Sequence, residues 1–292
     1  MKVSICIPVY KHVDFLKRCL DSVLIQTFSD YEVIITDDSP NDELERLVTT
    51  YQDERIRYIR NKPSLGSPAN WNKGLEMAGG DYIKILHHDD WFSLPNSLEA
   101  YVHLLDNNPD VDIAFSSSCD IDTNGIKKVH ILNPLFLSKI KEDPEFLALG
   151  NKLGAPSISI FRNHKGYLFD PDLVWVVDTD FYIRVMKRNS FAFTPEILVN
   201  IGVSEHQATY SLLAGCKTRI AEKIYLHQKF DLNDKSSKYR NSLLRVLGRE
   251  KVFNDASLKK ILPNTTFTFT VSDSITSFYY YIKKRVGQVL SK

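Results

Sequence analysis

The 292-residue sequence is poor in cysteine, nearly balanced in charge and without long apolar runs. Its cysteines, Cys6, Cys19, Cys119 and Cys216, form no CxxC pair and no spacing typical of zinc, so we expect unpaired thiols in a reducing cytosol. A formal net charge of +1 lacks the basic excess of nucleic-acid-binding proteins, and we expect no nucleic-acid partner. No apolar run approaches the ~20 residues that span a bilayer, and no signal-peptide pattern precedes the first run. These absences predict a cytoplasmic globular protein.

What the sequence does contain is a regular alternation of apolar runs and amphipathic helical patterns. The apolar runs predict buried strands at 3–7, 31–36, 56–59, 82–86 and 111–115. The segments between the strands space their apolar residues along one face of a helix. Such alternation is typical of a doubly wound, mostly parallel α/β sheet flanked by helices.

Beyond this first half the pattern is less regular. A strand is predicted at 156–161 and a helix at 178–187, whereas the order within 120–143 is left open. From about residue 211 the sequence favours helices, and a charged stretch at 231–240 interrupts them. We therefore expect an α/β domain followed by a helical C-terminal extension.

Acidic side chains follow two of the predicted strands at the point where each strand ends. Asp37 and Asp38 come after the second strand, and Asp89 and Asp90 come shortly after the fourth. The carboxyl ends of strands are where open α/β sheets bind ligands. Adjacent carboxylates are costly to bury unless a cation or hydrogen-bond donors compensate them. The sequence therefore predicts a site for a metal ion and a phosphorylated ligand.

Three other classes of protein fit the same residues less well. A nicotinamide-dependent dehydrogenase needs a glycine-rich turn after the first strand, and residues 8–12 (Pro-Val-Tyr-Lys-His) supply none. A receiver-type phosphoacceptor would use Asp37 and Asp38 but would leave the later acids unexplained. A phosphohydrolase His-Asp pair lies on a helix, whereas His88 and Asp89 follow a predicted strand.

Several short motifs occur together in the order seen in glycosyltransferase family 2. They are Pro8-Val9-Tyr10, Thr36-Asp37-Asp38-Ser39, Asn70-Trp71-Asn72-Lys73-Gly74, Gly80-Asp81-Tyr82-Ile83, His88-Asp89-Asp90 and Asp178-Thr179-Asp180. Over about residues 1–215 the chain thus resembles a bacterial member of that family, with the GT-A fold. The resemblance implies a nucleotide-sugar-binding half at 1–116, an acceptor and catalytic half at 117–215, and a helical extension at 216–292.

The resemblance also implies a donor site for a nucleoside-diphosphate sugar, most often a UDP-sugar. Asp37 and Asp38 would accept hydrogen bonds from the base and from sugar hydroxyls, since an ionised carboxylate is only an acceptor. The alternative is that these acids form a turn and cap the next helix. The other donor-site residues that the resemblance implies are Pro8, Tyr10, Arg60, Asn72, Lys73, His88 and Asp89.

The metal-binding motif departs from the family pattern, which is Asp-x-Asp followed by a further Asp. His87 stands in place of the leading Asp and is expected to hydrogen-bond the ribose or to favour Mn²⁺. By resemblance, Asp89 would hold Mn²⁺ or Mg²⁺ against the donor phosphates, with Asp90 and His206 as further ligands. The alternative for His206 is a solvated loop histidine.

Asp178 is implied to be the catalytic base, which takes the proton of the acceptor hydroxyl. With no second carboxylate evident as a nucleophile, a single displacement with inversion is the simpler mechanism. The alternative is that Asp178 caps the helix, with Asp180 and Arg184 forming an i,i+4 ion pair. Val177 stands where the family has another acid. This departure and that at His87 leave open a non-catalytic module that binds a sugar nucleotide or a partner.

The C-terminal segment Ser277–Val286 combines aromatic residues with a basic cluster. Such a composition is typical of a helix that lies in a membrane headgroup interface. The family resemblance implies an acceptor glycan of O-antigen or capsule type, carried on undecaprenyl diphosphate. We therefore predict peripheral contact with the inner face of the cell membrane. The alternative is a helix that packs back on the protein with a solvated basic edge.

Overall fold

The computed structural model describes residues 1–204 and 216–290, which belong to two compact units. The first unit comprises Met1–Pro144 and Asn151–Glu205, and the second comprises Glu145–Gly150 and His206–Lys292. The domain boundary predicted after residue 215 lies at the edge of the residues that are not described, so it stays a prediction.

The first unit alternates strands and helices from its start. Its strands are β1 (Val3–Val9), β2 (Tyr31–Asp37), β3 (Ile56–Arg60), β4 (Tyr82–Ile85), β5 (Trp91–Phe92), β6 (Val111–Asp122), β7 (Lys127–His130), β8 (Ser159–Arg162) and β9 (Ser190–Val203). Its α-helices are α1 (Val13–Leu24), α2 (Glu43–Thr49), α3 (Ala69–Met77), α4 (Ser97–Asp106), α5 (Pro134–Glu142) and α6 (Val177–Met186). A short 3-10 helix spans Pro156–Ile158, and another spans Pro144–Leu149, of which residues 145–149 belong to the second unit.

Within the described residues these strands form one sheet, in the order β3-β2-β1-β4-β8-β6-β9-β5, with β7 paired to β6. The pairings among β1 to β4 are all parallel, and β6 is parallel to β9. Strand β8 is antiparallel to both of its neighbours, and β5 is antiparallel to β9. Strands β1 and β2 are buried along their whole length, as expected for parallel strands covered on both faces. The predicted α/β sheet is confirmed.

The later strands differ from the sequence prediction. Strand β6 continues beyond the predicted 111–115 because Ser116 to Ser118 are buried inside the sheet, although their polarity suggested a loop. Strand β9 has no counterpart among the predicted strands, and its pairing with β6 is irregular next to Pro195, which has no N–H to donate. The strand predicted at 156–161 begins only at Ser159, after a 3-10 turn.

The second unit is helical, as predicted for the tail. Its α-helices are α7 (Cys216–Lys229), α8 (Leu232–Lys235), α9 (Ser237–Arg249), α10 (Asp255–Ile261) and α11 (Val271–Leu290). Asp231 adopts a left-handed backbone before α8, and Ser236 is extended before α9, so the expected interruption is present. The core of the unit contains Ile220, Ile224, Leu243, Leu244, Leu247, Val252, Leu258 and Phe267.

Helices α9 and α11 approach closely at Gly248. A Cβ atom at that position would collide with the backbone carbonyl oxygen of Ser277. In the part of the chain that the structure describes, none of the helices has both the length and the apolar character needed to cross a bilayer.

Candidate active site

A short turn at the carboxyl end of β4 carries the second acidic pair. The backbone N–H of Asp90 donates to the carbonyl of His87 at 2.9 Å, which closes the turn. Immediately before it, the N–H of Leu86 donates to the carbonyl of Cys6 in β1. Immediately after it, Trp91 enters β5 and pairs with β9. The turn, residues 87–90, is called the acid loop below.

The acid loop brings three possible metal ligands together. One ligand atom from each of His87, Asp89 and Asp90 lies within 4.8 Å of the others. Burial lowers the pKa of His87, so its ring is neutral and able to ligate. Its buried Nε2 has no hydrogen-bond partner among the described residues. Two carboxylates and one imidazole fit a divalent cation, with the nitrogen favouring Mn²⁺ over Mg²⁺.

His206, the other predicted ligand, lies outside the described residues. Asp90 is nearly inaccessible, and its Oδ1 accepts a hydrogen bond from the N–H of Gly202 at 3.0 Å. Burial raises the pKa of Asp90 well above its ordinary range, and the neighbouring charge of Asp89 raises it further. A bound cation would favour the ionised form of this carboxyl group.

Ser157 and Lys84 hold the acid loop in place through hydrogen bonds. The hydroxyl oxygen of Ser157 accepts a hydrogen bond from the N–H of His87 at 3.0 Å. Lys84 is fully buried in β4, and its Nζ donates to the carbonyls of Ser157 and Ser159. Burial lowers the pKa of Lys84 to about 7. These contacts fix the backbone of the acid loop and the neighbouring segment that contains Ser157 and Ser159.

Two more residues position Asp89 through its backbone. Arg18 donates to the carbonyl oxygen of Asp89 at 2.9 Å, while its guanidinium stacks 3.7 Å from the ring centroid of Trp91. A Cβ atom at Gly202 would collide with the same carbonyl oxygen. Gly202 thus belongs to the surroundings of the acid loop, although the motifs above do not include it. A lone glycine in a strand often marks such a close approach, but strand β9 itself is not predicted from the sequence.

The carboxylates of the first acidic pair, Asp37 and Asp38, are buried and accept hydrogen bonds from other groups of the protein. Asp37 accepts hydrogen bonds from the N–H of Ser39 at 2.7 Å and from the hydroxyl of Tyr58. Neither Asp37 nor Asp38 caps α2, which begins without a side-chain cap. The alternative is therefore wrong in its capping of the next helix, whereas the hydrogen bond from Ser39 to Asp37 is a local turn of the expected kind.

Asp38 organises the loop that follows β3. Its carboxylate accepts from the side chain of Asn61 at 2.7 Å and from the N–H groups of Leu65 and Gly66 at 3.1 and 2.7 Å. The same Asn61 amide also donates to Asn70 at 2.9 Å. The predicted contacts of Asp37 and Asp38 with a nucleotide stay a prediction, and both carboxylates already have protein donors.

The remaining predicted donor-site residues differ in their freedom to bind a ligand. Pro8 is buried in β1, and its backbone carbonyl accepts a hydrogen bond from the His88 ring, whereas Tyr10 is exposed and Lys73 half-buried. Asn72 exchanges two hydrogen bonds of 2.8 Å with the backbone of Phe169.

Arg60 donates to a backbone carbonyl, that of Pro40, at 2.7 Å. Trp71, on α3, packs with its ring centroid 4.6 Å from that of His87 and also packs edge-on against Phe169. Plain packing is the commoner fate of such a tryptophan, and here part of that packing lies against the acid loop.

Asp178 lies in the first turn of α6, whose N-cap is Val176. Its carboxylate accepts hydrogen bonds from the side chain of Asn151 at 2.7 Å and from the N–H of Thr179 at 2.6 Å. Burial raises the pKa of Asp178, and these hydrogen bonds only partly oppose that rise. A raised pKa increases the basicity of the carboxylate, which suits a general base. The predicted ion pair between Asp180 and Arg184 is present at 2.7 Å.

One short segment, residues 151–159, contacts both parts of the site. Asn151 at its start hydrogen-bonds Asp178, and Ser157 hydrogen-bonds the acid loop. Neither residue is predicted from the sequence, because isolated asparagine and serine side chains give no periodic or motif signal. The segment therefore connects the predicted base to the predicted cation site.

Comparison with known proteins shows the family to which the chain belongs. The family model described as Glycosyl transferase family 2 matches residues 4–164. The chain therefore belongs to glycosyltransferase family 2 and is a glycosyltransferase. An uncharacterized glycosyltransferase of Methanocaldococcus jannaschii is 33% identical over 198 residues, which are 65% of this chain and 66% of that protein. Another, from Rickettsia typhi, is 28% identical over 72% of this chain and 67% of its own length.

Two solved structures share the fold. S. aureus TarS 1-349 in complex with UDP superposes with a TM-score of 0.61 at 14% identity, over 98% of this chain and 92% of that chain. The mannosyltransferase PcManGT from Pyrobaculum calidifontis, in complex with GDP-Man and Mn²⁺, gives a TM-score of 0.57 at 14% identity, over 100% and 88%. At this identity the likeness establishes the fold alone. The chain spans about two thirds of the length of the curated relatives named above.

Proposed function

We propose that the chain is an inverting, metal-dependent hexosyltransferase that uses a UDP-sugar. The observation that carries this proposal is the cluster of His87, Asp89 and Asp90 at the carboxyl end of β4, in a chain of this family. Structural neighbours bind UDP, UDP-GlcNAc or GDP-Man, which supports a nucleoside-diphosphate sugar as donor. The choice of UDP follows from the family resemblance of the Asp37–Asp38 pair.

His87 and Asp89 would hold a divalent cation, and the buried carboxyl group of Asp90 would be the third ligand. The cation would offset the negative charge that develops on the departing diphosphate. Arg18 and Gly202 fix the backbone of Asp89, and Ser157 fixes that of His87. The loop is thereby preorganised, so that little reorganisation is needed when charge develops during the reaction.

Asp178 would remove the proton from the attacking hydroxyl of the acceptor. The hydrogen bonds from Asn151 and Thr179 orient its carboxylate, while burial keeps it more basic than an ordinary aspartate. Because a single base acts, the acceptor oxygen attacks the anomeric carbon from the side opposite the diphosphate. The configuration of the sugar is then inverted.

The proposed acceptor is a hydroxyl of a growing bacterial surface glycan, carried on undecaprenyl diphosphate. Such an acceptor places the reaction at the inner face of the cell membrane. This part of the proposal rests on the family resemblance and on the composition of the C-terminal tail.

Slow hydrolysis of the donor tests the proposal without knowledge of the acceptor. The full chain is incubated with UDP-, dTDP- and GDP-hexoses, with and without Mn²⁺, and released nucleoside diphosphate is measured. We expect Mn²⁺-dependent release from a UDP-hexose and loss of release in Asp178→Asn. Binding of a sugar nucleotide without release under any condition would favour the non-catalytic module. Retention of configuration in a glycoside product, whose anomeric centre does not mutarotate, would contradict inversion.

A further inference from the structure

The near-zero net charge of the chain hides two regions of opposite sign. Residues 1–215 contain 21 lysines and arginines against 30 aspartates and glutamates, whereas residues 216–292 contain 16 against 6. The helical C-terminal region is therefore strongly basic, and the catalytic region is acidic. A basic surface attracts anionic partners and repels another copy of itself.

Helix α11 exposes a continuous apolar stripe in this basic region. Five of its side chains are open to solvent: Val271 (81% exposed), Ile275 (67%), Phe278 (51%), Tyr279 (56%) and Ile282 (41%). Their spacing of three or four residues places them along one face of the helix. A contiguous exposed apolar surface of this kind marks an interaction site.

The opposite face of α11 fixes the orientation of the stripe. Asp273 and Ser277 are buried, and Ser277 donates to the carbonyl of Val252 at 2.6 Å. Asp273 accepts two hydrogen bonds from Arg240, at 2.8 and 2.6 Å. Both anchors lie within the second unit, so the stripe faces away from that unit's own core.

Basic side chains flank the stripe near the C-terminal half of α11. Lys283 is exposed beside the stripe, and its Nζ lies 6.0 Å from the ring centroid of Tyr279. The exposed Lys284, by contrast, lies on the anchored side and donates to the carbonyl of Arg249 at 3.5 Å. On α9, the exposed Arg245 lies 5.3 Å from the ring centroid of Tyr280, which is not part of the stripe, so it adds positive charge to the region rather than to the edge of the stripe. Asp273 is the only acid in the sequence of α11, and it is already paired with Arg240. The flanking charge is thus positive.

We propose that the stripe and these cations form a docking surface for an anionic phospholipid bilayer. Aliphatic and aromatic side chains would enter the headgroup region while the cations contact lipid phosphates. A second copy would set one basic surface against another, and a nucleic acid would leave the aliphatic stripe unused. The inference rests on the proposed function for its meaning, because a lipid-carried acceptor would then be presented to the enzyme at the same membrane. It also extends the predicted segment, which began only at Ser277, back to Val271.

Co-sedimentation with vesicles tests the surface directly. The full chain is mixed with vesicles of phosphatidylcholine alone or with added phosphatidylglycerol. We expect binding to the anionic vesicles, weakened by salt, and at least about a 10-fold lower partition coefficient for the triple variant Val271→Ser, Ile275→Ser, Ile282→Ser. The matched control replaces three exposed apolar residues of the first unit, Ile126→Ser, Val129→Ser and Leu135→Ser, and should bind like the wild type.

Three results would overturn the surface. The stripe variant could pellet like the wild type, the control could lose binding equally, or the stripe could instead mediate a concentration-dependent dimer seen by light scattering. Titration with UDP is carried out on the same samples. Vesicle binding without UDP binding would refute the proposed function alone, and UDP binding without vesicle binding would refute the docking surface alone.

Discussion

Asp37 and Asp38 at the end of β2 resemble Asp89 and Asp90 beyond β4 in sequence, but the fold surrounds the two pairs differently. Protein donors occupy the carboxylates of both Asp37 and Asp38, and Asp38 alone holds three of them. The Asp89 carboxylate, by contrast, accepts no hydrogen bond from the described residues, and only its backbone is fixed. The difference teaches that two equally acidic motifs can be surrounded differently: the first pair holds its own loop through hydrogen bonds, whereas the Asp89 carboxylate keeps its acceptor capacity for the proposed cation.

The largest effect is expected from Asp178→Asn, which leaves both acidic pairs intact. Without the base, kcat should fall about 10²- to 10⁴-fold, because proton removal from the acceptor is lost. UDP affinity in Mn²⁺ should be unchanged, since Asp178 does not belong to the acid loop. Steady-state kinetics and calorimetry check the two expectations. An equal loss of UDP affinity would place Asp178 in the donor site instead.

Gly202→Ala should displace Asp89 and Asp90 and leave Asp37 and Asp38 in place. The added Cβ would push the Asp89 carbonyl and displace the Asp90 hydrogen bond, so Mn²⁺ affinity should fall about 10- to 100-fold. Gly79→Ala is the matched control, because its Cβ would meet only ordinary contacts. Manganese binding followed by electron paramagnetic resonance measures the change. Wild-type affinity in Gly202→Ala would show that this backbone approach does not position the ligands.

The two acidic pairs can also be compared through the free energies of unfolding of the variants Asp38→Asn and Asp89→Asn. Asp38→Asn weakens hydrogen bonds to buried donors and should lower the free energy of unfolding by about 1 to 3 kcal/mol. Asp89→Asn removes a charge that disfavours the ionised form of Asp90, so in metal-free buffer stability should be unchanged or slightly higher. Urea denaturation in EDTA measures both. Equal losses in the two variants would refute this difference between the two pairs.

The smallest effect is expected from Asn151→Ala, as a shift in pH dependence. Asp178 must be ionised to act as a base, and its raised pKa sets the acidic limb of the kcat profile. Asn151 donates to the ionised carboxylate, so its removal disfavours that form and raises the pKa further. The acidic limb should therefore move to higher pH. A shift to lower pH would mean that Asn151 does not stabilise the ionised form.

The acidic ends of β2 and β4 could be predicted because they depend on local sequence. An apolar run followed by carboxylates indicated the position of both pairs, and the Asp178 motif indicated the start of α6 to within one residue. The ion pair between Asp180 and Arg184 followed from helical spacing alone. Each of these features is encoded within a few consecutive residues.

The supports of the site could not be predicted because they come from distant parts of the chain. Arg18 reaches Asp89 across 71 positions, and Ser157 reaches His87 across 70. Strand β9, which delivers Gly202, is held by its pairing with β6 rather than by an alternating pattern of its own. Local patterns carry no information on such pairings, so the second pair's surroundings emerged only from the structure.

The most direct test of the cation site at the acid loop is calorimetric titration with UDP, with and without Mn²⁺. Wild type, Asp89→Ala and the exposed control Asp110→Ala are compared at the same metal concentration. We predict UDP binding that requires Mn²⁺, is retained in Asp110→Ala and is lost in Asp89→Ala. UDP binding of equal strength without metal, or in Asp89→Ala, would contradict a cation site at the acid loop.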